Sequence, residues 1–191
     1  MKEVILQGEV LLMRPLETRD VADILALATA KEIADNTFVP TPYPPEAAQE
    51  FVRTRRELWH KDEAYVFGII EKRSDCFAGC MGLHPIPDHF RAEVGYWIGK
   101  PFWGRGLATT ALRLLIQFGF EALELNRIEA GHFEHNTASG RVMQKANMRF
   151  EGVRRQAFWH RDRFKDAHWY AILREEYETQ SAGQSKETAE D

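Results

Sequence analysis

The chain has 191 residues, of which 44% are hydrophobic and 28% are charged. This composition is typical of a globular protein, and the length fits one domain with a substantial core. No apolar run approaches the roughly 20 residues of a membrane-spanning helix, and the first residues do not resemble a signal peptide, so we expect a cytoplasmic protein without a membrane partner. The net charge of −4 argues against direct nucleic-acid binding, because such proteins neutralise phosphates with positive charge.

The cysteine content and the last residues set two further limits. Cys76 and Cys80 are the two cysteines of the chain, too few for a disulfide framework and without a second pair to complete a zinc site. We therefore predict no metal. Residues 178–191 are polar and small without periodicity, so we predict a disordered tail behind a single domain at residues 1–177.

Hydrophobic periodicity and turn residues predict the order of the elements. In chain order we expect a strand at 10–16, a helix after Thr18, a loop at 37–45, a helix at 45–59, strands at 64–71, 76–86 and 92–99, a helix at 107–123, a strand at 127–133, a helix at 137–146, and strands at 150–159 and 168–173. This order, with strand-helix-strand-helix in the middle, indicates a mixed α/β sheet in one domain.

The most informative segment is residues 103–109, where a glycine-rich loop leads into the longest apolar helix. The first N–H groups of a helix lack partners within it and are usually capped by Ser, Thr, Asp or Asn. This helix entrance offers no such cap, its glycines permit close approach of a ligand, and Arg105 adds positive charge. Free donors and the helix dipole together predict a pyrophosphate site. The competing interpretation is a tight turn that binds nothing.

Two common phosphate motifs fit this segment poorly. The P-loop is absent because no Gly-Lys-Ser/Thr follows the glycines. A dinucleotide fingerprint requires a third glycine where Thr109 stands, with an acidic residue about 20 positions beyond. Glu129 lies in that region, so a nicotinamide-dependent oxidoreductase remains a weaker alternative.

Trp103-Gly104-Arg105-Gly106-Leu107-Ala108 resembles motif A of the GNAT superfamily of acetyltransferases, whose usual form is Gln/Arg-x-x-Gly-x-Gly/Ala. Gly106 and Ala108 match this form, and Trp103 departs from it at the first position. Three further segments, at 92–98, 136–152 and 168–176, resemble the RimJ/RimL-like branch, which acetylates protein N-termini. The resemblance covers about residues 9 to 177.

The resemblance implies the GNAT acyl-CoA N-acyltransferase fold, an α/β (α+β) domain with a mixed, mostly antiparallel sheet. We expect about six or seven strands, a splayed central strand pair and about four helices. Acetyl-CoA is then the cosubstrate, with its pantetheine in the gap between the splayed strands. By this resemblance the pantetheine is assigned to Trp97, Ile98 and Gly99, the pyrophosphate to Trp103, Gly104, Arg105, Gly106, Leu107, Ala108 and Thr109, and other parts of CoA to Asn136 and Ser139.

Direct acetyl transfer requires an amine without its proton. An α-amino group has a pKa of about 8 and a lysine side chain a pKa of about 10.4, so the α-amine is deprotonated more easily than the lysine amine. Glu93, on the strand before motif A, is our first candidate for the base, and His84 on the preceding strand is the second. A backbone N–H near Ile98 is a candidate donor to the carbonyl oxygen. The resemblance assigns Ser139 to the departing sulfur, while Asn136 also fits a helix N-cap.

The acceptor is expected to be the N-terminal α-amine of a protein. A polyamine or an aminoglycoside is the alternative within the same class, and a non-catalytic acyl-CoA-binding regulator is the alternative outside it. The segments at 34–45 and 84–91 are expected to shape the acceptor pocket, but they contain no motif that identifies the acceptor. Tyr43, Phe90, Trp159 and Trp169 are candidate pocket aromatics, with core packing as the competing role. Dimers are common among similar proteins, so a homodimer is a further expectation.

Overall fold

In the computed structural model, which describes residues 2–187, the chain forms one sheet flanked by helices. The strands are β1 (Leu6–Gln7), β2 (Leu11–Pro15), β3 (Tyr65–Glu71), β4 (Cys76–Ile86), β5 (Arg91–Ile98), β6 (Arg127–Phe133), β7 (Arg149–His160) and β8 (Arg163–Leu173). The α-helices are α1 (Val21–Ala28), α2 (Lys31–Asn36), α3 (Pro45–His60), α4 (Leu107–Glu121), α5 (Thr137–Lys145) and α6 (Arg174–Glu187).

The sheet is mixed and mostly antiparallel, with the strand order β1-β2-β3-β4-β5-β6-β8-β7. β5 and β6 form its parallel pair, and their register runs from Arg91↔Arg127 only to Val94↔Ala130. Beyond this point β5 stays paired with β4 as far as Ile98, while β6 stays paired with β8 as far as Phe133. The predicted splayed strand pair is confirmed, and the gap opens between the second halves of β5 and β6.

Helices cover the two faces of the sheet and give the domain two hydrophobic clusters. On one face, Leu112 and Leu115 of α4 belong to the same buried cluster as Met81 of β4. On the other face, Val52 of α3 shares a second cluster with Trp97 of β5. The middle of β4 is therefore packed on both faces, whereas Glu93 and Gly95 of β5 are exposed.

The structure adds elements that the sequence pattern did not indicate. Among the described residues there are eight strands and six α-helices, against the expected six or seven strands and about four helices. β1 has two residues and α2 has six, so neither carries a recognisable hydrophobic period. No helix among residues 2–187 is long and apolar enough to cross a membrane.

The segment that begins at residue 178 also differs from the prediction. Residues 178–187 continue α6 rather than forming a disordered tail, and residues 188–191 lie outside the described part of the chain. The first turns of α6 are held to the domain: Arg174 donates to the carbonyls of Leu125 and Phe120, and Tyr177 packs on Phe120 with ring centroids 5.1 Å apart. These tertiary contacts stabilise a helix whose polar sequence has no apolar stripe.

Candidate active site

A cleft of about 890 Å³ passes through the gap between β5 and β6. One end lies at the entrances of α4 and α5, and the other lies under α3 and the loop that precedes it. The end at α4 and α5 is lined by much backbone, and the end under α3 is lined mainly by side chains. We call these the donor end and the acceptor end of the cleft.

The donor end contains the uncapped helix entrance that the sequence predicts. Gly106 is the N-cap of α4, and no side chain caps the helix. Gly104 and Gly106 have φ values of +75° and +78°, a left-handed conformation that favours glycine, and no atom lies within 4 Å of a Cβ built at either position. The cleft is lined here by Trp103, Gly104, Gly106, Leu107, Ala108 and Thr109.

Arg105 does not take the position that the sequence suggested. Its guanidinium lies 2.9 Å from the buried carboxylate of Glu71 and stacks over Phe102, and the residue is not among those that line the cleft. Hydrogen bonds from Ser74 and Arg105 lower the pKa of Glu71, which keeps this pair charged. The positive charge of Arg105 is thus already neutralised, and the cations that line the donor end of the cleft are Arg141 and Lys145 of α5.

The strand edge of β5 bears on the predicted pantetheine contacts. Gly99 donates its N–H to Ala78 and accepts at its carbonyl from Phe102, so both of its backbone groups are occupied. Hydrogen-bonded pairs alternate along an antiparallel ladder, so the backbone of Trp97 also faces β4. The groups that face the gap belong to Ile98, whose carbonyl accepts from Trp103 Nε1 at 2.6 Å while its N–H stays open, and to Tyr96, which the sequence interpretation missed.

Three polar side chains meet where the gap reaches α5. Asn136 caps the helix by accepting from the Ser139 N–H at 3.3 Å and donates its amide to Ser139 Oγ at 3.0 Å. The hydroxyl proton of Ser139 is therefore not used by Asn136. The Tyr96 hydroxyl lies 3.5 Å from the Ser139 carbonyl, and burial raises the pKa of Tyr96 to about 12. The Tyr96 hydroxyl donates its proton to this carbonyl, so the Ser139 hydroxyl is the donor that stays available.

Glu93 and His84 form a cross-strand pair at the acceptor end. They are register partners on β5 and β4, and both line the cleft. Burial, followed by repulsion from Glu129, raises the pKa of Glu93, while burial lowers the pKa of His84. A carboxylate with a raised pKa is a stronger base than an ordinary carboxylate. The structure therefore brings the two predicted base candidates side by side.

Two buried polar atoms on the cleft wall have no hydrogen-bond partner within the described chain, His132 Nε2 and Trp169 Nε1. Such atoms cost about 1–3 kcal/mol each when left unsatisfied. Both residues line the cleft, but these two nitrogen atoms are themselves buried and do not face its open space. No sequence motif marks His132, since its role depends on where β5 and β6 separate.

The other predicted aromatics divide into two groups. Tyr43 and Trp169 line the cleft, and Trp169 packs directly against the backbone of Gly131. Phe90 and Trp159 are 67% and 59% exposed and lie away from the cleft wall. Among the described residues, no group of three or more His, Cys, Asp or Glu side chains could hold a metal ion.

Comparison with known proteins agrees with this geometry. The Acetyltransferase (GNAT) domain family matches residues 10–149. An uncharacterised N-acetyltransferase p20 from Bacillus licheniformis is 32% identical, covering 90% of this chain and 97% of its own length. The ribosomal-protein-serine acetyltransferase of Escherichia coli strain K12 is 31% identical, covering 67% of this chain and 71% of its own. A GNAT-family acetyltransferase structure from Bacillus anthracis is 25% identical over 90% of this chain and 99% of its own, with a TM-score of 0.80.

The fold and the cleft define an acetyl-CoA-dependent N-acetyltransferase. The chain belongs to the GNAT acetyltransferase family. The resemblance seen in the sequence is thereby confirmed.

Proposed function

We propose that this enzyme transfers the acetyl group of acetyl-CoA to the N-terminal α-amine of a protein. The observation that carries the proposal is the position of Glu93, a carboxylate of raised pKa that lines the cleft beside the splayed strands. A base of this kind suits an α-amine, which has a pKa of about 8, better than a lysine amine, which has a pKa of about 10.4. The similarity to a ribosomal-protein-serine acetyltransferase supports the same acceptor class.

Binding of the acetyl donor rests on backbone groups. The N–H groups of Leu107, Ala108 and Thr109 have no side-chain cap and point from the helix start, so they suit a diphosphate. Arg141 and Lys145 add positive charge at the cleft wall. The Tyr96 backbone groups on the open edge of β5 extend the ladder to the pantetheine amides.

The reaction itself needs one base and two hydrogen-bond donors. Glu93 accepts a proton from the acceptor amine, directly or through water, so that the nitrogen lone pair can attack the thioester carbonyl. The Ile98 N–H donates to the carbonyl oxygen as it gains negative charge. The Ser139 hydroxyl then donates to the departing sulfur, since Asn136 uses only the hydroxyl oxygen as an acceptor and the hydroxyl proton stays available.

The test is thiol release from acetyl-CoA, measured with peptides, polyamines and aminoglycosides as acceptors and confirmed by the mass shift of each product. We expect the peptides with a free α-amine to be acetylated and the same peptides with a blocked N-terminus to be unreactive, even when they contain lysine. Efficient turnover of polyamines or aminoglycosides alone would contradict the proposed acceptor. Tight CoA binding without turnover of any amine would identify a non-catalytic acyl-CoA-binding protein.

A further inference from the structure

The floor of the acceptor end is open at Gly95 of β5, but not at Gly82 of β4, where a Cβ would lie 2.7 Å from Val66 Cγ2. Gly82 of β4 and Gly95 of β5 are register partners, next to the pair formed by His84 and Glu93. A Cβ built on Gly95 would meet a single atom within 4 Å, His84 Nε2 at 3.9 Å, and the backbone there does not require glycine. The missing side chain therefore leaves space in the cleft directly beside Glu93.

Arg55 of α3 lines the same part of the cleft and lacks an acidic partner. It is half-buried, its guanidinium lies 5.2 Å from the centre of the Phe51 ring, and no hydrogen bond or ion pair joins it to another residue within residues 2–187. The neighbouring arginines differ: Arg53 pairs with Glu50 and Glu57. Arg56 pairs with Glu3 at 3.6 Å. A guanidinium has five N–H donors, and a half-buried one without acceptors is a ready anion site.

The charge of Arg55 acts on the group opposite Glu93. After burial, the positive charge of Arg55 is the second cause that lowers the pKa of His84. The guanidinium is therefore close enough to influence the floor on which the amine must lie. A cation on one side and the Glu93 carboxylate on the other define a site of two opposite charges.

We propose that Arg55 binds a carboxylate carried by the acceptor, close to the amine that Glu93 deprotonates. This inference rests on the proposed function and names its substrate class: an N-terminus with Asp or Glu as its first or second residue. Free aspartate offers the same pair of groups, its amine and its side-chain carboxylate. A single carboxylate fits better than a phosphate dianion, because Glu93 and the nearby Glu129 repel additional negative charge. Polyamines and aminoglycosides fit poorly, because their additional cations face Arg55.

The experiment compares matched peptides on three forms of the enzyme. Acetylation rates are measured for pairs of peptides that differ only by Asp or Asn at the first or second position. The enzymes are the wild type, Arg55→Gln and Arg56→Gln. Free aspartate and free asparagine are tested as a separate pair of acceptors. We expect about a tenfold higher kcat/KM for the acidic peptides, mainly through KM, because a charged hydrogen bond contributes more than a neutral one. Arg55→Gln should abolish this preference, whereas Arg56→Gln, on the same helix, should retain it.

The outcomes separate the two proposals. Equal rates for the Asp and Asn peptides on the wild type would overturn the role of Arg55 while leaving N-terminal acetylation intact. A preference for acidic peptides that survives in Arg55→Gln would also overturn it. Turnover of free aspartate over asparagine, without turnover of peptides, would support Arg55 and contradict the proposed protein acceptor. Thermal melting and CoA titration of each variant establish that folding and donor binding are unchanged.

Discussion

The two ends of the cleft differ in whether backbone groups or side chains line them. The donor end consists mainly of backbone N–H groups at the entrance of α4 and along the open edge of β5. The acceptor end consists of side chains from separate elements, including Arg55 of α3, His84 of β4 and Glu93 of β5. A site made of backbone recognises what all its substrates share, while a site made of side chains can change its substrate by substitution. This difference predicts that changes at each end affect separate steps of the reaction.

The largest effect is expected from removing the base at the acceptor end. Glu93→Gln keeps the shape of the side chain but cannot accept a proton, so kcat should fall by about 100-fold or more. The dissociation constant for CoA, measured by calorimetry, should stay within about twofold. His84→Gln is the matched comparison across the strand pair and should reduce kcat by less than about tenfold. A larger fall in kcat for His84→Gln than for Glu93→Gln would mean that His84 is the base.

A second variant tests the donor end alone. Gly106→Ala places a methyl group in the cleft and a residue with a side chain at φ +78°, which costs about 1–2 kcal/mol. We expect CoA affinity to fall by about tenfold, while the KM for the acceptor stays unchanged.

Gly152→Ala is the control for this variant, since Gly152 also has a positive φ, +135°, and an added Cβ there meets no atom within 4 Å. It lies on β7, away from the residues that line the cleft. If both variants bind CoA as tightly as the wild type, the α4 entrance is not the phosphate site.

A third variant narrows the acceptor end. Gly95→Ala adds a methyl group to the cleft floor beside His84 without backbone strain or a close contact. We expect the KM for peptide acceptors to rise by about fivefold, with CoA affinity and melting temperature unchanged. An unchanged acceptor KM would mean that the substrate does not lie on this floor.

The smallest effect is expected in stability. Because burial raises the pKa of Glu93 in the folded state, ionisation of this group opposes folding. The penalty is absent below the unfolded-state pKa, where the group is protonated in both states, and it is complete above the folded-state pKa. Glu93→Gln should therefore melt slightly higher than the wild type at pH 7, and the difference should vanish near pH 4. A difference that does not depend on pH would have another cause.

The sequence alone could predict much of the donor end, because its parts are consecutive. The glycines, the missing cap and the long helix all lie within residues 103–121, so local rules sufficed. The CoA-binding role of Arg105 stays a prediction, and its ion pair with Glu71 gave no local signal because Glu71 lies on β3, far along the chain. The role of Gly99 also stays a prediction, and its hydrogen bonds depend on the register between β4 and β5.

The acceptor end could be predicted only in part. Glu93 and His84 were identified as candidates from their strands, and pairing of those strands makes them neighbours. Arg55 and His132 gave no local signal, because their importance depends on the packing of α3 and on the point at which β5 and β6 separate. Helix α6 was missed for a similar reason, since contacts made by Arg174 and Tyr177 stabilise it rather than an apolar stripe.

The most direct test of the division between the two ends is a crystal structure of the enzyme with bound acetyl-CoA. Our account predicts the diphosphate within hydrogen-bond distance of the Leu107, Ala108 and Thr109 N–H groups, with the pantetheine against Ile98 and the thioester facing Glu93. A diphosphate held instead by Arg105, or a thioester on the far side of the sheet from Glu93, would contradict it.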